Sequence, residues 1–264
     1  MKQMYFSLSF YPLLIFFLII QCSASENPIS ENFKTINNEQ EKVIYPKDII
    51  NFSQYFFSAV RYEDPFQPYL DTLSRIDVEQ LEKDLNSNNK KLAFWINIYN
   101  SLVQVKIFKD ETSFKDQNKF FKTRDITIGG IQISLDEIEH GILRKKDHDN
   151  PLVKRFQIEK LDFRIHFTMN CGATSCPAIA YYKPETIQKD LSIAENTFIV
   201  QNSVYNSKSN TLETSELLKW FRNDFGGDDG LINLMRRNGV ISKDVHPIIK
   251  YKAYDWELKS KHYH

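Results

Sequence analysis

KLAFWINIYNSLVQVKIF, residues 91–108, is the stretch on which the fold turns. Leu92, Trp95, Ile96, Tyr99, Leu102, Val103 and Lys106 recur at the three-and-four spacing of one helical face. No charge falls between Leu92 and Val105, so the helix is expected to be buried on most sides. Ala93, Asn97, Asn100 and Gln104 form a second stripe on it. A buried amide left unpaired costs on the order of 1–3 kcal/mol, so these side chains must find partners. Two outcomes are open: they tie neighbouring loops to the core, or Asn97 and Asn100 face a ligand cleft.

Before this helix, Pro46 precedes a helical pattern of Ile49, Ile50, Phe52, Tyr55, Phe56 and Val60, and Asp77 can cap a short helix with Leu81 and Leu85. After it, Ile126-Thr127-Ile128 and Ile131-Gln132-Ile133 flank Gly129-Gly130, the pattern of a hairpin closed by a primed turn. Ser134 and Glu137 form a capping box for a helix that turns Leu135, Ile138 and Ile142 inward. His140 lies off that stripe, with Asp136 and Arg144 four residues to either side. Residues 163–170 alternate, with Phe163, Ile165, Phe167 and Met169 on one face and Arg164, His166, Thr168 and Asn170 on the other, which predicts a strand. A helix with Ile187, Leu191, Ala194 and Phe198 inward is expected after Pro184, then a hairpin around residues 206–210. Thr214 or Ser215 caps SELLKWFRNDF, which Gly226-Gly227 ends; a helix over 229–238 and a strand near 248–256 close the chain. Helices and short strands mix without a strand–helix–strand rhythm. The expected class is α+β, a buried central helix packed on a small, mostly antiparallel sheet.

The chain has 264 residues, of which 42% are apolar, enough for one sizeable core. Thirty-four basic and thirty-four acidic residues cancel, so no cationic excess favours a nucleic-acid partner. Residues 1–25 read as an export signal: Lys2 supplies a positive charge, and residues 5–20 are uncharged and too short to span a bilayer. Cleavage after Ala24, or lipidation of Cys22 in the lipobox-like Ile19-Ile20-Gln21-Cys22, would follow. The expected location is extracytoplasmic: periplasmic, lipid-anchored or secreted, with membrane contact only through an anchor at Cys22. Residues 26–42 are polar and aperiodic and predict a flexible tether, leaving 43–264 as a single domain.

HFTMNCGATSCP, residues 166–177, carries the chemistry. It holds Cys171 and Cys176, the two cysteines outside the N-terminal segment. Several separated motifs, AFWINIYNSL, ISLDEIEHGILR, DFRIHFTMNCGATSCP, LKWFRNDFG and YDWEL, together resemble the domain-of-unknown-function 547 family over residues 92–258. Members usually continue the last motif with asparagine, where this chain has Lys259. The resemblance implies no established reaction. Some members are joined to glutaredoxin-like domains, which hints at thiol chemistry. A distant likeness to the papain and transglutaminase folds is also expected. In those enzymes the nucleophilic cysteine opens the central helix, whereas here Lys90 and Lys91 stand there, so their mechanism does not transfer.

Three readings of the cysteine run remain open. In the first, Cys171 is a nucleophile for acyl transfer, hydrolysis or thiol–disulfide exchange, with Cys176 as resolving thiol. On an extended strand His166 would lie about 16 Å from Cys171, at roughly 3.3 Å per residue, which favours His140 as the base. Asn170, Glu139 or Asp136 would orient the imidazole, backbone N–H groups of residues 173–175 would bind an oxyanion, and Asn97, Asn100 and Arg164 would contact substrate. In the second, Cys171 and Cys176 form a disulfide in an exported binding or scaffolding module, worth about 2 kcal/mol by chain entropy. In the third, Cys171, Cys176, His140 and His166 bind zinc. The first and second need no cofactor.

Overall fold

A computed structural model describes residues 33–36 and 43–259. The expected export signal with Cys22, most of the expected tether, and His262 and His264 lie outside the described residues. Within the stretch expected to be a tether, however, β1 (Phe33–Ile36) pairs antiparallel with β2 (Val43–Pro46), Phe33 opposite Pro46. Phe33, Thr35 and Ile36 are strand-forming residue types set in a polar sequence, which masked them.

Helices α1 (Ile49–Arg61), α2 (Gln67–Arg75) and α3 (Val78–Asp84) follow, the first and third capped by Asp48 and Asp77, whose carboxylates accept from backbone N–H groups of the first turn. Helix α4 (Asn88–Lys109) is the decisive stretch, and from Leu92 to Val105 every residue is buried. Its largest partner is α1, and it also packs on the π-helix and α7 described below. The central helix is therefore wrapped chiefly by other helices rather than laid on a sheet. With apolar side chains all round it, no single face is left for solvent.

The amide stripe resolves into anchors. Asn97 Nδ2 donates to Ser53 Oγ and to the Tyr182 carbonyl, both at 3.0 Å, while its Oδ1 accepts from Tyr182 N–H at 2.7 Å. Asn100 Nδ2 donates to the Thr168 carbonyl at 3.0 Å, and its Oδ1 accepts from Asn170 N–H at 2.9 Å. Each amide imitates a strand neighbour for a loop that has none, satisfying backbone groups that burial would otherwise orphan.

A short 3₁₀ turn (Glu111–Lys115) leads to α5 (Gln117–Lys122), then to β3 (Ile126–Ile128) and β4 (Ile131–Ile133), which pair antiparallel across Gly129 and Gly130. Both glycines have positive φ, 55° and 76°, as a primed turn requires. The capping box is present: Ser134 N–H donates to Glu137 Oε2 at 2.9 Å and Glu137 N–H to Ser134 Oγ at 3.1 Å. The helix it starts widens into a π-helix (Glu137–Leu143), a rare geometry that recurs at functional sites. Helix α6 (Pro151–Phe156) follows.

Residues 163–170 are not a strand. Phe163–Phe167 is a 3₁₀ helix, with Asp162 Oδ1 accepting Arg164 N–H at 3.1 Å and Thr168 N–H donating to the Ile165 carbonyl at 2.9 Å. The alternation misled because Ile165, His166 and Phe167 are all buried, so the polar positions do not mark a solvent face.

Helix α7 (Ile187–Asn202), strands β5 (Val204–Asn206) and β6 (Thr211–Ser215), the short α8 (Leu217–Trp220), α9 (Gly227–Arg237) and β7 (Ile248–Lys252) complete the chain. The sheet β5-β6-β7 is mixed: β5 and β6 form the expected hairpin, but β7 runs parallel to β6. A second core joins this sheet to α7, α8 and α9 through Phe167, Phe198, Leu212, Leu218, Leu231 and Met235. The fold is α+β. No helix among the described residues is long and apolar enough to cross a membrane.

Candidate functional site

A cavity of about 300 Å³ opens where α5, the π-helix, the cysteine loop, α8 and the C-terminal segment meet. Cys171, His140 and His166 all line it. The sulfur of Cys171 is bonded to that of Cys176. Both sulfurs are engaged, so the four-ligand zinc set of Cys171, Cys176, His140 and His166 is not assembled.

The two histidines are wired together. His166 Nε2 lies 2.8 Å from Asp224 Oδ2, and a carboxylate can only accept, so the imidazole donates. Arg144 Nε donates to the same oxygen at 2.7 Å, and Arg144 Nη1 donates to His140 Nδ1 at 3.0 Å. One buried arginine–aspartate pair therefore fixes the tautomers of both rings. His166 carries its proton on Nε2 and keeps a lone pair on Nδ1; His140 keeps its proton on Nε2, on the side of Asp136 Oδ1 at 3.6 Å. His166 is stacked on Phe221 with ring centroids 3.9 Å apart, and Arg144 lies over the same ring. Burial lowers the His166 pKa, outweighing the hydrogen bond that the ring donates to Asp224, and so favours the neutral ring. Burial acts to raise Asp224, but hydrogen bonds from His166 and Arg144 outweigh it and hold the carboxyl well below the usual carboxylate range.

Nδ1 of His166 is buried and has no partner among the described residues. The base role expected of His140 on grounds of distance thus loses its premise. His166 sits on a compact turn rather than an extended strand and lines the same cavity as Cys171.

The remaining expected residues brace the site from outside. Asn170 is buried, accepting Gly172 N–H at 3.0 Å and donating to the Pro177 carbonyl at 2.7 Å, so it sets the shape of the cysteine loop and orients no imidazole. Asn97 and Asn100 are fully buried anchors and do not line the cavity. Arg164 folds onto Asp162, Gln188 and Ser192, away from it. Two of the three expected oxyanion donors are occupied: Thr174 N–H donates to the Glu257 carbonyl at 2.8 Å and Ser175 N–H to that of Asp255 at 3.2 Å. Lys259 N–H donates back to the Gly172 carbonyl at 2.9 Å, and Ala173 bridges Leu258. Gly172, at φ 92°, allows the loop to turn where a side chain would meet Ile107.

Two contributors escaped the sequence reading, and a third had been weighed only in another role. Asp224 lies 58 positions from His166 and has no local pattern to announce it. Tyr254 places its hydroxyl 3.2 Å from the Cys171 sulfur and 3.1 Å from that of Cys176. Glu139 accepts the Tyr99 hydroxyl at 3.0 Å, and it is the only one of the three that had been weighed, as an orienting group.

With this geometry in view, the comparisons place the chain beside one family. Residues 83–199 match the family described as Protein of unknown function, DUF547. The chain resembles DUF547. The matched segment begins nine residues before the range read from motifs and stops at 199, so it holds Cys171, Cys176, His140 and His166 but not Asp224 or Tyr254. No curated protein and no solved structure matches the chain, so the likeness to papain and transglutaminase folds gains no support from them.

Proposed function

We propose that the chain carries out thiol–disulfide exchange at Cys171. The observation that carries this reading is the asymmetry of the bridge. Cys171 lines the cavity beside the histidines, whereas Cys176 Sγ alone accepts a backbone donor, the Cys171 N–H at 2.9 Å, and shares the Tyr254 hydroxyl, 3.1 Å from it and 3.2 Å from Cys171 Sγ. A thiolate released at Cys176 would keep both donors, which is how protein sites favour a leaving sulfur.

The substrate is a dithiol. Its first thiol gives a proton to the neutral His166 Nδ1, and the resulting thiolate attacks Cys171 Sγ. A new S–S bond forms, the Cys171–Cys176 bond breaks, and the electron pair departs on Cys176. The second substrate thiol, losing its own proton, then attacks the mixed disulfide and releases Cys171 as a thiolate. Both protein thiolates take up the two protons. The substrate leaves as a disulfide and the protein as a dithiol. An extracytoplasmic location, with Cys22 cleaved away or lipidated, would suit a resting oxidised pair.

A second reading keeps the disulfide purely structural, in a binding module. The stitching of residues 172–175 to 255–259 favours it, because the bridge then simply locks a loop that holds the cavity wall. Cys176→Ser separates the two. Incubated with a small neutral disulfide, it should form a single mixed disulfide at Cys171, by intact mass, roughly tenfold faster than Cys171→Ser does at Cys176. Equal rates, or native wild-type protein whose bridge a dithiol reduces only in denaturant, would leave the structural reading standing.

A further inference from the structure

We propose that the cavity recognises an organic cation, a guanidinium or ammonium carried on a peptide side chain. This names the substrate class for the exchange reading and rests on it only in calling the ligand a substrate.

Three independent features converge on that chemistry. The first is the lip. Trp220, Tyr254 and Trp256 cluster with ring centroids 4.8, 4.8 and 5.8 Å apart, and all three line the cavity. Trp220 remains 43% exposed, an indole left at the mouth rather than in the core. Aromatic faces attract cations through their quadrupole, tryptophan most strongly.

The second is charge. Asp136, just before the π-helix, and Glu139, within it, line the same cavity. Among the described residues, the one basic side chain within ion-pair distance of these two carboxylates is the His140 imidazole, at 3.6 Å from each. Arg144, the nearest strong cation along the chain, is taken up by Asp224 and by the His140 lone pair. Lys122 of α5 is the cavity's opposing charge, one lysine against two carboxylates. Glu139 also helps raise the Tyr254 pKa, after burial, so its field reaches the wall that holds the sulfurs.

The third is the orphan acceptor. His166 is 2% exposed, lines the cavity, and has an unpartnered Nδ1 lone pair. Buried acceptors without donors are rare, and a planar guanidinium offers five N–H donors in a fixed fork, one of which can hold this lone pair until the substrate thiol takes its place. The volume lies at the low end of ligand sites, suited to one side chain rather than to a nucleotide.

The test uses the oxidised full chain and intrinsic tryptophan fluorescence. Trp95 is fully buried in the core, so a change on titration reports Trp220 and Trp256. N-acetyl-arginine amide should give a saturable change, and its neutral isostere N-acetyl-citrulline amide should bind roughly tenfold more weakly or not at all. Glu139→Gln should weaken arginine-amide binding roughly tenfold. Because Glu139 also holds Tyr99, Asp136→Asn is measured beside it and should weaken binding in the same direction. Equal binding of the two amides, unchanged affinity in both variants, or saturation by a neutral sugar in place of the cation would overturn the proposal. Mixed-disulfide formation with a neutral probe is followed in parallel. Cation binding without exchange refutes the exchange reading alone, and exchange without cation binding refutes this one.

Discussion

Asp224 does more for the site than any residue read from the chain. It accepts hydrogen bonds from His166 and Arg144, and through Arg144 it also sets the tautomer of His140. Asp224→Asn keeps the shape but removes the charge, leaving a largely buried guanidinium without its counter-ion. Losing one partner of such a pair costs about 3–5 kcal/mol, which urea unfolding should register. On the exchange reading the same variant should slow mixed-disulfide formation at Cys171 in the Cys176→Ser background, since His166 would lose the carboxylate charge that supports its basicity. The partners of His140 were readable because a helix brings positions four apart together. Those of His166 were not, because a buried 3₁₀ turn with mixed polar and apolar residues has the same written alternation as a half-buried strand. Nothing local to RNDF signals that its aspartate reaches back to residue 166.

At the scale of elements, α4 and the capping-box helix were legible, and for the same reason: each writes its own geometry into a spacing of three and four. The hairpin at Gly129 and Gly130 was equally plain, since a primed two-residue turn between alternating strands needs positive φ at both positions. What α4 holds was less so. Its asparagines are read as polar, yet they function as backbone surrogates for loops that no sheet supports. Asn100→Ala would strand the Thr168 carbonyl and the Asn170 N–H inside the core. A loss of about 2–3 kcal/mol is expected for two orphaned groups that relax in part. Hydrogen exchange should accelerate first at Asn170, one residue before the bridge. The capping box starts a helix whose π-geometry no spacing foretold. That wider turn is where Glu139 and His140 come to line one cavity with Asp136, the residue that precedes it.

For the whole molecule, pH acts through the buried relay in one direction. His166 has a folded pKa below its ordinary value near 6.5, so on acidification the unfolded chain takes up this proton first. Stability is therefore complete above that range and falls as pH drops through about 6.5. Asp224, held low in the fold, contributes stability that is present above the unfolded value near 3.9 and lost as pH falls further. Unfolding midpoints measured from pH 8 to pH 3 should descend in two stages, the first shrinking in His166→Gln. An unaltered first stage in that variant would assign it elsewhere. The α+β class was legible at this scale, while the parallel pairing of β7 was not, because two strands separated by α8 and α9 carry no mark of their relative direction.

The stitching of the cysteine loop to residues 255–259 has a consequence for how such a chain can diversify. Sulfur and imidazole come from the segment shared with DUF547, but the tryptophans, the tyrosine and the aspartate that face them are supplied by the stretch beyond residue 199. On the proposed exchange, the reacting sulfurs and the two carboxylates thus belong to one segment and the aromatic lip to another, so the tail can be retailored to admit a different guest while the disulfide stays as it is.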